Sequence, residues 1–407
     1  MCVQLKSKNN TQICANISSD WINFNTQIKE ELRVLIVHPR MSLYGGAELV
    51  VVKLANYLTK QGIENAVLTL EISPELEKEL SGTEIIVSKR SLRFPRVPFS
   101  VTLPLVVLTM AKLIHSNLRR FDVVNVHNFP AELAVFMRPR KVVWMCNEPP
   151  EVYFVSEKIL VKLIGKVVTS VDKLFVRKFI HKAVVADEFN ASRFERIYGF
   201  RPVIIPYGID HEFFSKGNAA RGRKWLKLEK EDFVILQVGM ITPMKNQLES
   251  IKTVEKLRPK IPNIRLVLAG EDSGEYAERL KKYVEAHGLE QHVIFTGHIS
   301  REIIRDLYAS CQVCIFPVRP QGGWLSPFEA LCLAKPIIVS REMTASKIIE
   351  ENGIGVVTDN FASAVEDVYL RRERYSEMVL KGREWVKNNL GWDRFCERML
   401  QVFEEED

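Results

Sequence analysis

The feature that most constrains this chain is a pattern that runs through it twice. Short runs rich in Val and Ile alternate with longer stretches of helical periodicity. RVLIVHP (33–39), NAVLTL (65–70), EIIVSK (84–89), DVVNVH (122–127), KVVWMC (141–146), AVVAD (183–187) and PVIIP (202–206) make the first series. FVILQVGM (233–240), IRLVLAG (264–270), VIFTG (293–297), VCIFPV (313–318), PIIVS (336–340) and GIGVV (353–357) make the second. Runs this short and apolar read as buried strands, and helical stretches such as 47–62, 103–119 and 246–257 between them imply parallel βαβ units. The expected fold is α/β, with two Rossmann-like doubly wound parallel-sheet domains facing a central cleft. The first domain is expected over 32–206 after a mobile extension, 1–31. The second is expected over 207–390, entered through a connector rich in Gly and Lys/Arg at 207–232. A last helix, 391–407, is expected to pack back on the first domain. In open parallel sheets ligands bind beyond the carboxyl ends of the strands, so the cleft is the expected site.

Composition narrows the class. The chain has 407 residues, 46% hydrophobic and 26% charged, as expected of a globular protein with sizeable cores. Its seven cysteines (2, 14, 146, 311, 314, 332 and 396) are odd in number and show no framework spacing, which points to a reducing compartment. Cys311 and Cys314 form a CxxC without a second Cys or His pair nearby, and read as buried thiols. The N-terminus lacks the apolar core of a signal peptide. The longest apolar stretch, 97–114, is interrupted by Ser100, Thr102, Pro104 and Lys112, and reads as a core or membrane-surface helix. Residues 1–205 hold 28 basic and 19 acidic residues, whereas the remainder holds 29 and 31. The positive excess therefore belongs to the first half, which suits an anionic surface or substrate.

Two segments of the second half carry chemistry. QVGMITPMKNQ (237–247) puts Gly239 at the end of a strand and Lys245 just before a helix, where amides and the helix N-terminus favour an anion. FPVRPQGGWLSPFEALCLAKPIIVS (316–340) has a Gln321-Gly322-Gly323 turn, Ser326 as the expected N-cap, Pro327 as a first helical residue and Glu329 in the first turn. A carboxylate there can accept both hydroxyls of a ribose, or simply complement the helix dipole.

These segments resemble the retaining glycosyltransferases of family 4, of GT-B fold. The family's hallmark is a Glu, seven residues and a second Glu, followed by G-x-P-V-I; QGGWLSPFEALCLAKPIIV fits that frame. VGMITPMKNQ is similar to its VGRLxPxKG, IPYGID (205–210) to its IPNGVD, and YGGAE (44–48) to its first glycine loop. DVVNVH is similar to D-V-V-H-x-H, and WMCNEPP (144–150) to YCHTPxR. The resemblance implies that Gly45 and Gly46 present amides to the donor and that Gly239 and Lys245 meet its diphosphate. It implies that Gln321 contacts the donor sugar, that Gly322, Gly323, Trp324, Leu325 and Ser326 line the sugar–phosphate pocket, and that Glu329 binds the ribose. Lys245, Gln321 and Asn147 are the implied catalytic residues; His127, Asn147 and Glu148 are the sugar- or acceptor-side candidates. Met240 stands where the family has a phosphate-binding Arg, Gln321 at the first Glu, Asn147 at a His and Tyr207 at an Asn.

The implied activity is transfer of a hexose-type sugar from a UDP or GDP donor to a glycan or lipid-linked acceptor. It needs no cofactor and no metal, since the nucleotide-sugar is a co-substrate and no D-x-D occurs. The alternative is a catalytically weakened sugar-nucleotide-binding protein of the same fold. Residues 158–182 carry seven Lys or Arg and one acidic residue, Asp172. Val161, Ile164, Val168, Val171 and Phe175 give that segment an amphipathic helical period, read either as an anionic-membrane surface or as a core helix with a solvated basic face. No nucleic-acid module occurs. The expected location is cytoplasmic, either free or peripheral on the inner face of a membrane.

Overall fold

The structure is a computed structural model that describes residues 32–42, 45–88, 99–136, 140–147, 159–319 and 325–405. The expected extension 1–31 lies outside the described residues. The chain divides into two compact units, Met1–Ile205 with Cys396–Asp407, and Pro206–Phe395.

The first unit holds β1 (Arg33–Val37), β2 (Glu64–Thr69), β3 (Glu84–Val87), β4 (Val123–His127), β5 (Lys141–Met145), β6 (Lys182–Val185) and β7 (Val203–Ile204). All pair in parallel, in the order β3-β2-β1-β4-β5-β6-β7. The order reverses between β1 and β4. At the amino ends of these two strands, Arg33 and Asp122 make a two-pronged ion pair, Nε–Oδ2 2.9 Å and Nη2–Oδ1 3.0 Å. The carboxyl ends carry His38 and His127. Helix Phe99–Asn117 buries Leu103, Val106, Met110, Ala111 and Ile114. Recurrence at three and four residues therefore makes the broken apolar stretch a core helix. Among the described residues no helix is long and apolar enough to cross a membrane.

The end of the chain, in helix Trp392–Glu404, returns to this unit. Lys141 Nζ donates to the carbonyls of Phe403 and Glu405, Lys182 meets the Glu405 carboxylate at 3.0 Å, and Arg398 donates to the Ile204 carbonyl at 2.8 Å.

The second unit holds β8 (Phe233–Val238), β9 (Ile264–Ala269), β10 (Val293–Phe295), β11 (Val313–Phe316), β12 (Ile337–Val339) and β13 (Val356–Val357). The order β10-β9-β8-β11-β12-β13 is again parallel, reversing between β8 and β11. Cores lie on both faces of the sheet, so its strands are apolar at successive positions rather than alternately. The segment 207–232 is not an open connector. It forms helices His211–Ser215 and Ala219–Leu226, and Arg221 pairs with Asp306 at 2.8 Å. A Cβ on Gly222 would lie 2.3 Å from the Asp306 carbonyl oxygen, so this helix seats backbone to backbone. Helical period was masked there by the density of Gly, Lys and Arg.

Helix Ile159–Phe179 corrects the reading of its own faces. Val168, Phe175 and Val176 pack inward, but so does Asp172, which is fully buried, whereas Val171 is exposed. Val161 and Ile164 have side chains outside the description. Asp172 Oδ2 accepts from the Tyr198 hydroxyl at 2.6 Å, and the equally buried Glu132 lies against it. Burial, and for Glu132 also its acidic neighbour, pushes both carboxyls up; Asp172 reaches about 6. A raised carboxyl contributes stability that is complete below its unfolded value and is lost as pH rises through the folded one. Relative to the wild type, Asp172→Asn should gain melting temperature as pH rises from 4 to 7, as followed by thermal denaturation in buffers of matched ionic strength.

Candidate active site

The second unit brings its expected site residues to the carboxyl edge of β8 and β11. β8 ends at Val238, and Gly239 takes φ +145°, a backbone state that side chains disfavour. Across from it, a Cβ on Gly270 would fall 2.2 Å from the Gly239 carbonyl oxygen. The tips of β8 and β9 can approach this closely only with glycine at 270. The loop then climbs to helix Gln247–Leu257, and the half-buried Lys245 lays its stem over Gly239, with Cε 3.6 Å from the position a Cβ would take.

Three buried polar side chains hold that loop. Gln237 donates to the Lys245 carbonyl at 2.7 Å and accepts from the Ser250 hydroxyl at 2.6 Å. Gln247 donates to the Met240 carbonyl at 3.0 Å. Each such bond contributes about 1 kcal/mol net, but a buried group left unpaired costs about 1–3 kcal/mol, so the set resists single losses. The loop after β11 joins in, as the Arg319 amide donates to the Met244 carbonyl at 2.8 Å.

Glu329 follows β11. Its helix, Leu325–Cys332, starts one residue ahead of the expected cap Ser326, which makes Glu329 its fifth residue rather than part of the first turn. The carboxylate is held by Tyr308, which is fully buried in helix Arg301–Ser310. The Tyr308 hydroxyl is 3.0 Å from Glu329 Oε2 and 3.1 Å from the Ser326 carbonyl oxygen. Burial raises the Glu329 carboxyl, while the Tyr308 bond and the charge of Arg301 oppose it. Lys245 and Glu329 thus follow adjacent strands at the point where the strand order reverses. Gln321, Gly322, Gly323 and Trp324 lie outside the described residues, as does Glu148; Leu325 opens the helix.

The first unit has a matching edge between β1 and β4. A cavity of about 310 Å³ is lined there by His38, Arg40, Glu48, Val106, Asn128 and Phe129, among others. Gly45 is the N-cap of helix Gly46–Lys60. Burial raises the Glu48 carboxyl, and the backbone amides of Glu48 and Gly45 lower it by hydrogen bonding. Of the two amides that the resemblance aims at a donor, those of Gly45 and Gly46, the first is here bonded to the Glu48 carboxylate. Asn128 adopts φ +57°, and its amide links His38 Nε2 at 3.1 Å to the Asn147 side chain. His127, expected on the sugar or acceptor side, is wholly buried with Nε2 2.7 Å from Asn125 Oδ1, and it does not line the cavity. Through Asn125, whose amide donates to the Val143 carbonyl at 3.0 Å, it braces β4 against β5.

The sequence reading missed His38, Asn128, Tyr308, Gln237, Gln247 and Ser250. One signal existed: His38 and Gln237 are polar residues in otherwise apolar strand runs. Tyr308 and Asn128 carried none, because their roles depend on residues about 20 and 90 positions away.

Comparison with known proteins identifies the family and the fold. The family pattern described as Glycosyltransferase Family 4 matches residues 44–213, and that described as Glycosyl transferases group 1 matches residues 220–385. The chain belongs to the family 4, group 1 glycosyltransferases, and its two parallel sheets are those of the GT-B fold. It is 26% identical over 235 residues to a GDP-mannose-dependent alpha-(1-6)-phosphatidylinositol monomannoside mannosyltransferase of Mycobacterium tuberculosis, a match covering 54% of this chain and 60% of the relative. It is 23% identical over 241 residues to the lipopolysaccharide 1,2-N-acetylglucosaminetransferase of Salmonella typhimurium, covering 55% and 63%. These matches thus span less than two thirds of the curated relatives' length. Among solved structures, Anabaena HepE in complex with UDP and glucose superposes with a TM-score of 0.74 at 16% identity, covering 91% of this chain and 99% of that one. WaaG, a glycosyltransferase involved in lipopolysaccharide biosynthesis, gives 0.71 at 15%, covering 91% and 99%.

Burial holds His38 down to about 4, against a backbone bond at Arg40, and burial with the neighbouring His38 holds His127 at about 3. Both are neutral at physiological pH. Only the unfolded chain takes up their protons between about pH 6.5 and 4, so they cost stability as pH falls through that window. His38→Gln keeps a partner for Asn128 and removes the titration. Its melting temperature relative to wild type should rise as pH falls from 6.5 to 4, measured by differential scanning calorimetry.

Proposed function

We propose that this chain is a retaining glycosyltransferase that moves a hexose-type sugar from a UDP- or GDP-linked donor to a glycan or lipid-linked acceptor. The observation that carries this reading is the placement of Lys245 and Glu329 after the adjacent strands β8 and β11, at the strand-order reversal of the second sheet. There a cation, a helix N-terminus and a carboxylate serve one nucleotide-sugar. Glu329, anchored through Oε2 by Tyr308, accepts ribose hydroxyls. Lys245 and the amides beyond Gly239 face the diphosphate. As the bond from the anomeric carbon to the phosphate oxygen breaks, negative charge grows on that oxygen, and fixed donors favour the transition state over the ground state. The acceptor hydroxyl adds on the same face, and its proton passes to the departing oxygen. Met240 supplies no charge at the position of the family's arginine, but the exposed Arg319 sits on the loop bonded to Met244 and brings a guanidinium to the same edge. The GDP-mannose dependence in the mycobacterial relative's name, and the UDP in the HepE complex, favour a donor of the GDP or UDP class.

Lys245→Ala should lower turnover by about 10²–10³-fold, in line with loss of one preorganised donor. Together with Glu329→Ala it should abolish the thermal stabilisation given by UDP- or GDP-sugars. Equal stabilisation of both variants and the wild type would reject the assignment.

The exposed face of helix Ile159–Phe179 supports a lipid-linked acceptor. Leu163, Val167, Val171 and Leu174 are 55%, 63%, 41% and 68% exposed. They recur at helical spacing as a second apolar stripe, flanked by exposed Lys166, Arg177 and Lys178. Apolar side chains beside cations suit the boundary of an anionic bilayer. The full chain should sediment with vesicles containing phosphatidylglycerol and not with phosphatidylcholine alone. Leu163→Ser with Leu174→Ser should release it; unchanged sedimentation would dismiss the surface.

A further inference from the structure

The second unit contains a pair of thiols that the transfer chemistry does not use. Cys311 ends helix Arg301–Ser310 and Cys314 is the second residue of β11, so a CxxC spans the turn between them. Both are buried, and their sulfurs are 3.4 Å apart. A disulfide needs about 2.05 Å, so closure requires an approach of roughly 1.4 Å. The other buried cysteine of this unit that is placed nearby, Cys332, has its sulfur on the Phe328 carbonyl instead, 3.3 Å away.

The pair has a charged border. Lys335 Nζ donates to the carbonyls of Ala309 at 2.7 Å and Cys311 at 2.9 Å. A groove of about 290 Å³ lined by Gln312, Lys335, Pro336 and Arg372, with others, adjoins this turn. Burial pushes the Cys311 thiol up, but the bond to Cys314 and the charge of Lys335 bring it below its ordinary value; Cys314 is pushed well up. Buried thiols are commonly inert. Here the two thiols already touch, and Cys311 is the more readily ionised of them.

The turn is also mechanically tied to the donor site. The Cys311 sulfur donates to the Tyr308 carbonyl at 3.2 Å. Tyr308 is the residue whose hydroxyl holds Glu329.

We propose that Cys311 and Cys314 form a reversible redox dithiol, closed to a disulfide by a peroxide, whose closure displaces Tyr308 and loosens Glu329. The consequence for donor binding rests on the functional reading above. The Cys311 thiolate attacks the peroxide O–O bond, giving a sulfenic acid and, after protonation, one water from hydrogen peroxide. The Cys314 thiol then attacks the Cys311 sulfur; the S–S bond forms and the sulfenic oxygen leaves as a second water. Two electrons pass from the thiols to the peroxide, and an external dithiol returns them.

The test uses the full chain with Cys2→Ser and Cys14→Ser, treated with hydrogen peroxide and then dithiothreitol. Peptide mapping should find one 311–314 disulfide that dithiothreitol reverses and that Cys314→Ser cannot form. Hydrogen exchange over Arg301–Ser310 should rise on oxidation, and UDP or GDP affinity should fall by about tenfold, a usual size for coupled sites. If both thiols remain alkylatable after peroxide, or if the disulfide forms with no change in exchange, the dithiol proposal is overturned. If the reduced protein binds neither nucleotide, the donor reading fails instead, and mapping with exchange still decides the dithiol.

Discussion

Parallel strands cannot be joined by tight turns. Each crossover must carry the chain back along the sheet, so every loop that follows a strand emerges at the same edge. Where the strand order reverses, successive crossovers depart to opposite faces and leave a crevice between two neighbouring strand ends. Both units of this protein place their polar chemistry at that point: His38 and Asn128 after β1 and β4, Lys245 and Glu329 after β8 and β11. The opposite edge does structural work. Arg33–Asp122 and Arg265–Asp232, both within 3.1 Å, pin strand beginnings in the two sheets.

What turns a loop at a strand end into a defined site is a small number of buried polar bonds. Gln237, Ser250 and Gln247 fix the path of the Lys245 loop through its carbonyls, and Tyr308 fixes one oxygen of Glu329. Such groups are costly in an apolar interior unless paired, which makes their pairing geometrically strict. Gly239 and Gly270 complete the arrangement by letting two backbones approach more closely than side chains permit.

Burial also sets the charge state of titratable groups whose hydrogen-bond partners are neutral or acidic. His38 and His127 are kept neutral, whereas Glu132 and Asp172 bind their protons more tightly than free carboxyls do. Their contributions to stability have opposite slopes between about pH 4 and 6.5, so the parent protein balances them and single substitutions expose each. In the turn between Cys311 and Cys314 burial raises both thiols, and the bond to Cys314 and the charge of Lys335 bring Cys311 back below its ordinary value.

By itself the sequence determined the alternation of strands and helices, the parallel character of both sheets and the positions of Gly239, Lys245 and Glu329, because these rest on local period and on motifs within a few residues. Its element limits differ from the structure by a residue or two at most strands, and helix Ala219–Leu226 was hidden by its charged composition. Only the tertiary structure decided that His127 is a buried support, that Asp172 faces inward, that Tyr308 holds Glu329 and that helix Ile159–Phe179 carries a second apolar stripe towards solvent. Those facts depend on which face of an element meets a partner far away in the chain. A periodic pattern names the faces of a helix but not what lies against each of them, and that contact is settled only when the sheet and its crossovers are assembled.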